Sequence, residues 1–136
     1  MNTADTILST QQTLEQRRAA AAWEHVSKLE ESHSKEYVSL VRGASATILS
    51  CGLGQTIAFY VSKAKKDKEY NEYNLLTTHL AQWVLGNREK PDKSKTGTDL
   101  LQEIINNDSD RYRELTSEAL SYLVWLKRFA EARQKE

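Results

Sequence analysis

A chain of 136 residues, 39% hydrophobic and 28% charged, is long enough for one domain with a real core. Its 19 basic and 19 acidic residues cancel, which excludes the strongly basic balance of a dedicated DNA-binding domain. No apolar run approaches the ~20 residues of a spanning helix, the polar start at Asn2, Thr3, Asp5 and Thr6 does not read as a signal peptide, and Cys51 stands alone, so the expected setting is a reducing cytoplasm away from membranes.

The first helix is predicted from near Asp5 to about Glu31. Ala19, Ala22, Trp23, Val26 and Leu29 recur at helical spacing on one face, with Trp23 as its bulky anchor. Ser34 is the expected N-cap of a second helix carrying Tyr37, Leu40, Val41, Ala44 and Ile48, with Gly43 a candidate kink. Gly52 and Gly54 then interrupt the helical text. Glycine costs roughly 1 kcal/mol in a helix interior relative to alanine, so the pair reads as a stop and a restart. The restarted helix bears Leu53, Ile57, Tyr60, Val61 and Ala64 and exits through Lys63, Lys65, Lys66 and Lys68.

Asp67 is the expected cap of a fourth helix with Tyr73, Leu76, Leu80 and Trp83, which Gly86 ends. Asn87 to Gly97, rich in charge and holding Pro91, reads as a solvated, flexible loop. Thr98 is the expected cap of a short fifth helix with Leu101, Ile104 and Ile105. The last helix is expected from about Asp110 nearly to the end, on a stripe of Tyr112, Leu115, Ala119, Tyr122, Leu123, Leu126, Phe129 and Ala130. The fold class is therefore all-α, a single-domain bundle of five to seven helices spanning residues 1–136 with a long C-terminal helix. Trp23, Val26, Leu123, Leu126 and Phe129 should share one core with Ile57 and Tyr60.

Catalytic constellations are poor. His25, His33 and His79 match no metal-ligand spacing and read as surface or packing histidines. Cys51 lacks a motif-like His and reads as a small buried thiol. Gly52-x-Gly54 has neither the third glycine of a dinucleotide fingerprint nor the Gly-Lys-Ser/Thr of a P-loop. Glu30-Glu31 and Asp108-x-Asp110 sit at predicted helix ends, where capping and dipole complement account for the second pair. No cofactor, metal or catalytic group is expected.

The basic residues carry more. Lys63 lies at a helix C-terminus, where the macrodipole favours cations. Lys127 and Arg128 interrupt an apolar stripe between Trp125 and Phe129, and Arg17 and Arg18 form a second adjacent pair. Gathered on one face, Arg17, Arg18, Lys63, Lys127 and Arg128 would track a phosphate backbone. The bland alternative pairs Lys127 and Arg128 with Glu131, Glu24 or similar neighbours, as solvated surface charge.

The words "GLGQTIAFYVSK" at 52–63, "Y-x-E-L-T-S-E-A-L-x-x-L-x-W-L-K-R-F-A-E-A" at 112–132 and "L-E-Q-R-R-A-A-x-A-W" at 14–23 resemble the small all-helical subunit of the type III-B CRISPR RAMP module, the Cmr effector complex. The resemblance implies a non-catalytic subunit of an RNA-guided, RNA-targeting antiviral complex. It further implies copies stacked in a minor filament beside the repeated backbone subunits, facing the guide RNA–target RNA duplex. In that family the cleavage residues belong to the backbone subunit. The competing expectation is a standalone helical adaptor that binds a partner protein through an exposed apolar stripe and touches no RNA. Surface charge separates the two: co-location of the five cations favours the RNA-facing subunit, and scatter favours the adaptor.

Overall fold

The computed structural model describes residues 3–64 and 71–134, with side chains from residue 13 onward. Six α-helices follow one another: α1 Thr3–Ser27, α2 Glu31–Cys51, α3 Leu53–Ala64, α4 Glu72–Val84, α5 Gly97–Asn106 and α6 Ser109–Gln134. Among the described residues there is no strand, so the fold is the expected all-α bundle with a long last helix.

The long helix α6 is the spine. Contacts between Arg18 and Glu118, His25 and Tyr122, and Val26 and Arg133 advance along both helices together, so α1 runs parallel to α6. α2 descends on the other side, joining Ser34 to Gln134 and Arg42 to Glu131. α3 returns along α2, α4 packs on α2, α3 and α6, and α5 closes against α3 and α4. One apolar core results, from Ala22 and Val26 of α1 through Tyr37, Ile48, Ile57, Leu80 and Trp83 to Leu115, Leu123 and Leu126 of α6.

The glycine interruption is a helix junction. Gly52 takes φ +88°, a backbone region L-residues rarely adopt, and its N–H closes α2 on the Ile48 carbonyl at 2.7 Å. α3 restarts at once, and the Gly54 N–H donates to the Tyr112 hydroxyl at 3.0 Å, pinning the junction to the start of α6. A Cβ on Gly97 would lie 2.6 Å from Thr77 Oγ1, so only glycine lets the first turn of α5 press this closely on α4. Gly43 produces no break, and α2 runs through it.

Several boundaries differ from the sequence expectations. α1 ends at Ser27, and α2 begins at Glu31 behind Glu30, which makes no side-chain cap, so Ser34 lies inside the helix. Asp67, like Lys65, Lys66 and Lys68, lies outside the described residues, and Asn71 caps α4 by accepting from the Asn74 N–H at 2.8 Å. Thr96, not Thr98, caps α5, because its reciprocal partner Asp99 stands three residues later in a capping box. The Asn87–Gly97 segment therefore ends one residue early, with Gly97 buried in α5. Its backbone is tied down where the Asp92 N–H donates to the Gln82 carbonyl at 2.8 Å.

The core expectation holds for Val26, Leu123, Leu126, Ile57 and Tyr60, all buried. It fails for Trp23, which is 51% exposed, and Phe129 is only half-buried. The buried stripe of α1 centres on Ala22, Val26 and Leu29, which turns Trp23 to the rim of the α1–α6 contact. Cys51, expected to be buried, is exposed at the last residue of α2.

Candidate nucleic-acid interface

The five cations singled out in the sequence do not form one cluster, the distribution expected of the adaptor; only Lys127 and Arg128 stay together, and any shared RNA-facing surface narrows to them. Arg18 faces inward. Its guanidinium grips the Glu118 carboxylate at two points, Nε to Oε1 at 2.9 Å and Nη2 to Oε2 at 2.8 Å, and also meets Glu15. The Trp83 indole N–H donates to the same carboxylate at 2.8 Å. Burial alone would raise the Glu118 carboxyl, but Arg18, Trp83 and, at longer range, Arg88 outweigh it and hold the carboxyl below its ordinary range. The hydrogen bond to Glu118 in turn raises the Arg18 guanidinium further. This guanidinium is spent on structure and is not offered to a ligand.

Lys63 sits over the Phe59 ring, its Nζ 5.4 Å from the ring centroid, on a helix that does not pack against α1. Arg17, half-buried, has no hydrogen-bond or ion-pair partner among the described residues, and it lies about 120° round α1 from Trp23. Lys127 and Arg128 do share a neighbourhood. Both are exposed beside Glu131, whose carboxylate is held low first by its hydrogen bond from Arg42 Nε, at 2.9 Å, then by the charges of Arg42, Lys127 and Arg128. The anticipated pairing with Glu131 or Glu24 does not occur. Glu131 is bonded to Arg42, and Glu24 to Lys28 at 2.9 Å with Lys93 at 3.6 Å. Arg42, a cation that sequence reading missed, thus joins Lys127 and Arg128 around one carboxylate. It stands 85 positions before Lys127 on a different helix, and no local pattern links them.

The second feature missed in the sequence is aromatic. Trp23 meets Phe129 edge-on, with centroids 5.3 Å apart at 80°, and Trp125 lies 5.6 Å from Phe129 at 33°. The three rings form an external cluster across α1 and α6. Spacing alone placed Trp23 and Phe129 in the core, because periodicity identifies a shared face but not how far a neighbouring helix covers it.

Two of the three histidines are packing residues, as the sequence suggested. His25 stacks on His79 at 4.2 Å and 15°. The Gln82 amide N–H donates to the Lys93 carbonyl, which turns Gln82 Oε1 toward His25. His25 Nε2–H therefore donates to that oxygen at 3.1 Å, and Nδ1 accepts from the Tyr122 hydroxyl at 2.7 Å. Tyr37 and His79 Nδ1 bond at 2.8 Å. Burial lowers the pKa of His25, whose Gln82 bond and Glu24 neighbour only partly oppose it, and lowers that of His79 well below the ordinary 6.5.

Both rings hold a proton less readily in the fold than in the unfolded chain, which takes up protons below about pH 6.5, so stability is fully present above that value and falls with acidification. Urea unfolding between pH 7.5 and 5.5 should show a decline of at most about 1.4 kcal/mol per pH unit per histidine, flattened by His25→Gln. A flat profile in the wild-type chain would contradict the neutral stacked pair.

Among the described residues no group of three or more His, Cys, Asp or Glu is placed to hold a metal ion, and no helix is long and apolar enough to cross a membrane. Every described buried side-chain nitrogen and oxygen has a partner. What these features define is a class: a small all-α bundle with a saturated polar interior, whose distinctive chemistry is displayed outward as cations and aromatic rings.

The family model described as CRISPR-associated protein (Cas_Cmr5) matches residues 14–133, and the chain belongs to that family. It is a small subunit of the type III-B Cmr effector complex, from a family of small structural subunits. A solved relative is the CRISPR-associated Cmr5 family protein from Thermus thermophilus. It is 29% identical and superposes with a TM-score of 0.68, covering 88% of this chain and 96% of its own.

Proposed function

We propose that this chain is a non-catalytic subunit that stands in a minor filament beside the repeated backbone subunits and contacts target RNA through α6. Its partners are the other Cmr subunits, further copies of itself and the guide RNA–target RNA duplex, in the cytoplasm and without a cofactor. The observation that carries the reading is that Lys127 and Arg128 are exposed and unpaired among the described residues, while the carboxylate between them and Arg42 is already bonded to Arg42. Three cations thus surround one carboxylate, a local excess of positive charge on a chain of zero net charge.

Such a subunit binds RNA weakly when free. Its phosphate contacts add up when copies line up along a strand. Lys63 and Arg17, on other faces, are further proposed phosphate contacts, reached in the assembly and not through the α6 cluster. Arg18 has no part in it.

The test is the double substitution Lys127→Ala and Arg128→Ala, assembled into the complex and titrated with target RNA at several salt concentrations. Loss of two phosphate contacts should weaken binding similarly for all target sequences and reduce the slope of log affinity against log salt by about 1.4–1.8. Intact assembly with unchanged affinity and slope would return these residues to ordinary surface charge.

A further inference from the structure

We infer that the Trp23–Phe129–Trp125 cluster is a stacking platform for an unpaired base of the bound RNA strand, a specific site that rests on the RNA-facing reading of α6. An indole held half out of a helix bundle and braced edge-on by Phe129 is a rigid flat surface on which a base stacks with little loss of freedom. Here the bundle leaves Trp23 51% exposed while Trp125 and Phe129 are partly buried against the core beneath it.

The surroundings select the occupant. Residues three or four positions away on a helix share its face. For Trp23 the uncovered ones are Ala19, Ala20 and Ser27, and for Trp125 and Phe129 they are Ser121, Arg128 and Ala132, with Arg133 beyond. The charged members are Arg128 and Arg133, and no carboxylate lies within one turn on these faces. Arg133 already donates to the Val26 carbonyl, so its guanidinium is fixed at the edge of the cluster.

A rim of cations around aromatic rings, Arg133 tied to the Val26 carbonyl and Arg128 exposed, complements an anionic strand that exposes bases. It does not suit a second copy of the same patch, which would oppose Arg128 and Arg133 to themselves. Arg128 also connects the two parts of the site. It lies between Trp125, three positions earlier, and the Arg42–Glu131–Lys127 group, so a strand whose phosphates follow that group brings a base over Trp125 and Trp23.

The experiment uses the assembled complex and target strands carrying 2-aminopurine at successive positions. One register should be quenched by stacking, and Trp23→Gln should relieve the quenching and weaken binding about fivefold to a hundredfold. Trp23→Phe should retain both signals, and neither variant should change the salt slope. If Trp23→Gln leaves fluorescence and affinity untouched while the Lys127/Arg128 variant still flattens the slope, the platform is overturned and the phosphate reading stands. Release of the Trp23→Gln subunit from an otherwise assembled complex would also overturn it, making the cluster a protein-docking surface. Indifference of both variants would remove the platform together with the reading beneath it.

Discussion

Glu118→Ala should lose about 3–5 kcal/mol of stability, read as a shift of the urea midpoint at unchanged cooperativity. The side chains of Arg18 and Glu118 are 14% and 10% exposed, so the pair is largely withdrawn from water. Deleting the carboxylate leaves the Trp83 N–H without its acceptor and the guanidinium with the exposed Glu15 alone, since Trp83 is fully buried and stacked on Tyr122 at 5.2 Å. The size of the loss reflects a buried N–H and a largely buried guanidinium left under-satisfied, not the net worth of the bridge. Replacing both partners with apolar residues of similar volume, Arg18→Met with Glu118→Leu, should therefore cost less than Glu118→Ala alone. A single-variant loss below about 1 kcal/mol would mean that the pair is solvated and interchangeable with surface charge.

The same pair responds to acid. The Glu118 carboxyl lies below its ordinary 4.5 in the fold, so its contribution is complete above that value and disappears as the pH falls through the lower folded value. The histidine effect begins about two pH units higher, and the two are separable in one titration.

Leu126→Ala should cost about 2–5 kcal/mol, because the residue is fully buried on the spine helix. It leaves a cavity on α6, where α1 and α2 both pack and cannot collapse into it without moving. A loss below about half a kcal/mol would contradict the core described for α6. Leu126 and Trp23 differ in environment although both sit in strong helical stripes, and Trp23→Gln should leave stability within about 1 kcal/mol.

That contrast marks the limit of what the sequence expressed. The stripe from Tyr112 to Ala130 identified α6, because five turns of one periodic face leave little choice of structure. The Gly52–Gly54 junction was equally legible, since no other residue takes φ +88° without strain. The cap of α5 was written in the sequence as Thr96-x-x-Asp99 but was assigned to Thr98, two residues too late. Trp23 was misplaced because it stands at the edge of its stripe, where the neighbouring helix decides burial.

The site was less legible than the fold. Arg17 and Arg18 look identical in the sequence, yet the 100° turn between them puts only Arg18 onto Glu118, 100 residues away. Arg42 escaped notice for the opposite reason: isolated on α2, it becomes part of a cationic group only when α2 packs against the end of α6.

The most direct measurement is photocrosslinking of the assembled complex to target RNA containing 4-thiouridine, followed by digestion and identification of the RNA-bearing peptides. An RNA-facing α6 predicts adducts on this chain between Val124 and Arg133, reduced by the Lys127/Arg128 double substitution. Adducts confined to the backbone subunits, with none on this chain in a complex that contains it, would contradict that orientation.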